Sequence, residues 1–137
     1  MRQLYILLII FLFLSCGKEK SYKYKINIYT IINKQIGDTK KMEKETIKAL
    51  NDSIAYFKAV QNFVITRIIY DKTNKENIEK GTPIFFSLVD FELIDNKGND
   101  ISKMNFSNKE AIQRNALNFF NLKDSMLYYD ILKDLKK

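Results

Sequence analysis

Few residues in this chain have types and spacing suited to chemistry, and they are mostly carboxylates. Asp90 and Glu92 lie two apart in an alternating stretch, which puts both on one strand face. Two carboxylates in environments that separate their pKa values can do acid–base work on a glycosidic bond. Without a cleft around them they are a solvated sheet face. Asp95, Asn99 and Asp100 are oxygen donors in a tight turn, but Lys97 sits among them and no Glu follows at the twelfth position of a calcium loop. They read as an ordinary turn. The chain has no histidine, so Ser-His and Cys-His nucleophile pairs, His metal sites and the usual base near neutral pH are excluded. The four glycines form no phosphate-cradling G-x-G, and one cysteine cannot build a zinc cluster. No metal or cofactor is expected. Phe119-Phe120 and Tyr128-Tyr129 have faces that stack on sugars or peptides, yet each pair falls in a helical apolar pattern and reads as core.

The single cysteine, Cys16, stands where its chemistry would matter. Met1-Arg2-Gln3 is positively charged, and Leu4 to Leu14 is an unbroken apolar run of eleven residues. A helix of that length covers about 16 Å, roughly half a bilayer core, so it is a secretory leader rather than a span. Ser15 is small, as a cleavage site needs, and Gly17-Lys18-Glu19-Lys20-Ser21 turns abruptly polar.

Leu12-Phe13-Leu14-Ser15-Cys16 resembles the lipobox of bacterial lipoproteins. Phe13 replaces the commonest Leu and Leu14 a smaller residue, as in the looser version that some Gram-negative groups use. The resemblance implies cleavage between Ser15 and Cys16 and a diacylglycerol on the Cys16 thiol. It also implies a location on a bacterial membrane, facing the periplasm or the cell exterior. Gly17 follows the cysteine where Asp would favour inner-membrane retention, which tilts the expectation toward the outer membrane. The resemblance covers the leader alone and says nothing about the mature domain.

Residues 1–15 are thus expected as signal peptide, 16–21 as lipidated cysteine and tether, and 22–137 as one domain. Removing 15 of 137 residues leaves 122, enough for a core without disulfides or metal. The net charge of +7 is carried by Lys interspersed with Asp and Glu, not by an Arg-rich stripe, so nucleic acid is not an expected partner. Lys18, Lys20, Lys23 and Lys25 cluster beside the anchor, where they would face either water or anionic head groups.

Tyr22 to Ile32 alternates, with Tyr22, Tyr24, Ile26, Ile28 and Ile32 on one face, and predicts a half-buried strand. Asn33 to Lys41, with Gly37-Asp38, reads as a loop. Glu43 to Leu50 fits a strand or the start of the next helix. The strand is preferred, because Asn51-Asp52-Ser53 is a helix-start signal. Ser53 to Tyr70 is the strongest helix, with Phe57, Val60, Val64 and Ile68 on its buried face, Tyr56 and Phe63 widening it, and Ile54, Ile65 and Ile69 on the polar side. Asp71 to Lys80 reads as loop, ended by Gly81-Thr82-Pro83. Ile84 to Asp95 is a second clear strand, with Phe85, Val89, Phe91 and Leu93 on one face and Phe86, Leu88, Asp90 and Glu92 on the other. Ile101 to Phe106 is a short return strand. Ser107 to Glu110 is a capping box for a helix to Phe120, and Leu122 to Leu135 is a last helix.

The expected fold is α+β: an antiparallel sheet of three to four strands packed against a long helix, with C-terminal helices. The residues lean away from catalysis. The leading expectation is a lipid-anchored envelope protein whose domain binds a protein, peptide or lipid partner. A small carboxylate-dependent hydrolase of cell wall or glycan, or an inhibitor or immunity-type protein, is the alternative.

Overall fold

The computed structural model describes residues 17–33, 35–122 and 125–136. The fold is α+β. Three antiparallel strands, β1 (Lys20–Ile32), β2 (Gln35–Ala49) and β3 (Ile84–Ile94), lie in the order β2-β1-β3. The long helix α1 (Asp52–Glu79) crosses one face. A 3-10 turn (Ile101–Lys103) and two short helices, α2 (Lys109–Phe119) and α3 (Met126–Asp134), follow.

β1 is central because its alternation is strict. Tyr22, Tyr24, Ile26 and Ile28 are buried under α1, while Lys23 stays in water. Ile32 is not part of that core: it is exposed at the strand's end. β2 begins at Gln35, so most of Asn33 to Lys41 is strand and not loop. Asn33 makes the turn by adopting φ of 50°. Gly37 does not turn the chain either. A Cβ there would lie 2.8 Å from the Thr30 carbonyl oxygen, beside the register irregularity between Tyr29 and Ile31. The glycine permits close backbone approach within a strand. The strand reading of Glu43 to Leu50 holds, and Asn51 caps α1 with its Oδ1 accepting from the Ile54 amide at 2.9 Å.

α1 buries Ala55, Tyr56, Ala59, Val60, Phe63 and Val64. The two alanines let the helix approach the sheet closely, so the buried stripe is centred on the Tyr56/Phe63 side, and Phe57 and Ile68 sit at its margins. Phe91 is the hub: its ring centroid lies 5.6 Å from Tyr24, 5.8 Å from Tyr56 and 5.6 Å from Phe63.

Asp71 to Lys80, expected as loop, is helix through Glu79. The segment is polar yet contains no Gly or Pro until Gly81, and Asp71 pairs with Lys75 at 3.0 Å one turn on. Its asparagines give the helix a reason to continue. The Asn74 side chain donates to the Phe86 carbonyl and accepts from the Phe86 amide, both at 2.8 Å. Asn77 donates to the Ile84 carbonyl at 2.8 Å, and Arg67 to the Leu88 carbonyl at 3.4 Å. Farther along, the Leu93 amide donates to Asp100 Oδ1 at 3.1 Å. The outer edge of β3 is therefore closed by side chains along much of its length, which blocks pairing with a foreign strand. Asn74→Ala should cost about 2–3 kcal/mol, since it strips partners from two half-buried backbone groups. Urea unfolding checks this, and the variant should also aggregate sooner than wild type.

β3 carries a bulge at Val89: Asn27 faces Asp90 while Ile28 faces Leu88. The extra residue flips the faces. Leu88 joins Phe91 and Leu93 in the core, contrary to simple alternation, whereas Asp90 and Glu92 stay together, paired with Asn27 and Lys25 of β1. The return strand expected at Ile101 to Phe106 is absent. Asp100 bridges to Ile94 once, and its carboxylate then accepts from the Ser102 amide at 3.0 Å, which winds the chain into the 3-10 turn. With that strand gone, the segment from Glu43 to Ala49 within β2 supplies the third strand.

The capping box is not formed: Asn108, not Ser107, precedes α2, and no side chain caps it. Asn121 has φ of 53° just beyond the end of α2, and the last helix, expected from Leu122 to Leu135, spans Met126–Asp134. Ser125 caps α3, its Oγ accepting from the Tyr128 amide at 3.1 Å.

Candidate functional site

Asp90 and Glu92 do share a face, but β1 answers both. The Asn27 amide donates to Asp90 Oδ1, and Glu92 lies directly opposite Lys25 in the ladder. Opposed cross-strand pairs of this kind stabilise sheets. Asp90 also borders a cavity with Tyr56, Ser102 and Asp134, but at about 70 Å³ it is far smaller than a sugar site. The structure therefore places the two carboxylates in a sheet face and not in a cleft.

The Asp95 turn spends its carboxylate on itself. Oδ1 accepts from the Lys97 and Asn99 amides at 2.8 Å each, and Oδ2 from the Asn99 side chain at 2.9 Å. These donors hold the Asp95 carboxyl below its usual pKa, the Asn99 side chain most of all. Gly98 takes φ of 87°, as the turn requires. No group of three or more potential metal ligands occurs among the described residues. Cys16 and Ser15 lie outside the described residues.

The aromatic pairs split. Phe120 and Tyr128 pack on the core, as expected, but Phe119 and Tyr129 are exposed, as is Met126 at 85%. Helical spacing placed both members of each pair in the core because adjacent residues differ by only about 100° around a helix. One member of each pair therefore meets the core while its neighbour faces water.

The groups with clearly altered titration are mostly structural. Lys109 Nζ donates to the Ser102 carbonyl at 2.6 Å and the Met104 carbonyl at 3.1 Å, and lies 5.4 Å from the Tyr56 ring centroid. Burial pushes its pKa down. It ties the 102–106 segment to α2, a role no sequence motif announced. Gln113, buried, donates to the Tyr56 hydroxyl at 2.8 Å and to the Leu135 carbonyl at 3.2 Å.

Burial raises the pKa of Tyr22, Tyr24 and Tyr56; Asp52 adds to the rise at Tyr22, Glu45 adds at Tyr24, and the Gln113 bond opposes it at Tyr56. The unfolded chain ionises these phenols near pH 10, about their ordinary value, and so holds fewer protons than the folded chain above it. The stability they contribute is full below about pH 10 and is lost as pH rises beyond. Tyrosinate absorbance should therefore complete its rise only as the helical circular dichroism collapses. Complete ionisation with the helix signal intact would contradict these burials.

Tyr24 also offers a sharper test. Its hydroxyl is buried without a hydrogen-bond partner among the described residues, whereas that of Tyr56 is bonded. Tyr24→Phe should leave stability unchanged or raise it by about 1 kcal/mol, and Tyr56→Phe should lower it by about 1 kcal/mol. Thermal melts of the two variants check the contrast.

The end of the domain nearest Cys16 in sequence gathers the start of β1, the end of β2 and the start of α1. Lys20 Nζ lies 3.9 Å from Asp52 Oδ1, which also accepts from the Tyr22 hydroxyl at 2.7 Å. Lys20, Asn51, Ser53, Met104 and Phe106 line a groove of about 580 Å³ there. No helix among the described residues is long and apolar enough to cross a membrane.

Comparison with protein-family models, curated proteins and solved structures finds no match for this chain.

Proposed function

We propose that this protein is a cell-envelope lipoprotein, held on a bacterial membrane through Cys16, whose α+β domain is a non-catalytic binding module for a protein, peptide or lipid. The observation that carries this reading is the leader: an apolar run too short to span, a small residue, and then the chain's sole cysteine followed by polar sequence. Two acyl chains suffice for stable attachment, each buried methylene contributing about 0.8 kcal/mol. The start of β1 at Lys20 supports it as well, since an anchor on Cys16 would join the domain through only Gly17, Lys18 and Glu19.

Cell fractionation with protease access tests the placement. The chain should pellet with membranes and be cleaved only when protease reaches the periplasmic or outer face. Purification of the acylated protein in mild detergent should retain a stoichiometric partner, and a monomeric eluate would count against the binding role. The hydrolase alternative requires that Asp90→Asn and Glu92→Gln lose activity on cell-wall glycan. The bond from Asn27 to Asp90 and the register of Glu92 with Lys25 favour a structural part for both.

A further inference from the structure

We infer that the pole of the domain next to Cys16 is a docking surface for an anionic lipid leaflet, and that it holds α1 and the sheet upright on the membrane. This rests on the proposed lipidation of Cys16. Four residue steps separate Cys16 from Lys20, so an acylated Cys16 lies at most about 14 Å from the first residue of β1. The pole is thus confined to the neighbourhood of the head groups.

Its composition suits that neighbourhood. Leu50, Ile54 and Met104 are 50%, 38% and 45% exposed around the turn into α1 and the segment that lines the groove with it. Lys20, which meets Asp52, Lys48, whose carbonyl accepts from Lys58, and Lys103, next to Met104, belong to the same segments, with Lys18 two residues before Lys20; the acids there are Glu19, Asp52 and Asp100. Asp52 and Asp100 are already engaged, Asp52 by Tyr22 and Lys20, and Asp100 by the Leu93 and Ser102 amides and Lys103. Exposed apolar side chains on segments rich in lysine are what an interfacial surface on anionic lipid presents.

The fold then sets the orientation. β1 and α1 run the same way from this pole: Lys20 meets Asp52 at one end, while Ile32 pairs with Ile84, whose carbonyl accepts from Asn77, at the other. Ile78 stands 24 residues beyond Ile54 on α1, or about 36 Å along the axis. The competing arrangement lays α1 flat through its exposed Ile65 and Ile69. Beyond Ile69 that face carries Lys72 as well as Glu76 and Glu79, a surface of mixed sign and not a mainly basic one.

The chain has no tryptophan, so single tryptophans report cleanly. Leu50→Trp, Met104→Trp, Ile69→Trp, Ile78→Trp and Met126→Trp would be made in the full acylated protein. Each would be reconstituted on phosphatidylethanolamine–phosphatidylglycerol vesicles containing brominated acyl chains. Leu50→Trp and Met104→Trp should shift to the blue and lose about half their emission, while the other three keep theirs. Quenching of Ile69→Trp as strong as that of Leu50→Trp would mean the helix lies flat and overturns the proposal. Quenching of Met126→Trp alone would move the contact to the α2–α3 turn, and no quenching would mean the domain rides clear of the lipid; both overturn it. Intact mass of each sample reads acylation separately. A chain without acyl mass removes the anchor reading, and the pole then stands or falls by whether Leu50→Trp and Met104→Trp are still quenched on the same vesicles.

Discussion

Val64→Asp should unfold much of the protein under conditions where the wild type is folded. Val64 is fully buried on the α1 stripe, beside Phe63 and Val60. A carboxylate there must either stay charged without a partner or take up a proton, and each route costs free energy. The expected loss is roughly 4–5 kcal/mol, a large part of the roughly 5–15 kcal/mol that holds a domain together. Lys58→Asp, six residues earlier on the same helix, is the control. Its Nζ donates to the Lys48 carbonyl at 2.7 Å from an exposed position, so about 0.5–1 kcal/mol is at stake. Urea midpoints for the two variants should differ severalfold in their shift from wild type. Equal shifts would mean that the buried face of α1 is misassigned.

Cys16→Ser should abolish fatty-acid labelling and release the protein from the membrane. No other thiol exists to take the lipid, so the effect on labelling should be complete and not partial. The released domain should still fold, because the core, from Tyr22 to Ile131, contains no contact that acyl chains supply. Circular dichroism and membrane partition of the variant read the two expectations separately. A variant that stays membrane-bound with its leader intact would show the apolar run acting as an uncleaved anchor despite its length.

The parts of the fold legible in the sequence were those in which one periodicity ran unbroken. Tyr22 to Ile28 alternates without interruption and is the buried face of β1. Ser53 to Tyr70 keeps helical spacing and is the packed part of α1. Where a single residue broke the period, pattern failed: the bulge at Val89 exchanged the faces of β3, so Leu88 went inside. Where side chains satisfied backbone groups, polarity misled. Asn74 and Asn77 read as loop residues because they are polar, yet their partners are the edge amide and carbonyls of β3, a long-range contact that no local window contains. The missing Gly and Pro before Gly81, and the spacing of the two asparagines one turn apart, were the available signals. At Ile101, Asp100 turned the chain with its own carboxylate before a strand could form. The candidate carboxylates were placed correctly on one face, but their cross-strand partners Asn27 and Lys25 became visible only once the register was known. The exposure of Phe119 and Tyr129 depended on which side of each pair meets the core, which spacing alone does not fix.

Intact-mass spectrometry of the wild-type protein extracted from membranes tests the anchor most directly. The expected mass lacks Met1 to Ser15 and carries two or three acyl chains, with fragmentation placing them on Cys16. A soluble chain with a free Cys16 thiol, or a membrane-bound chain that retains Met1 to Ser15 without added mass, would contradict it.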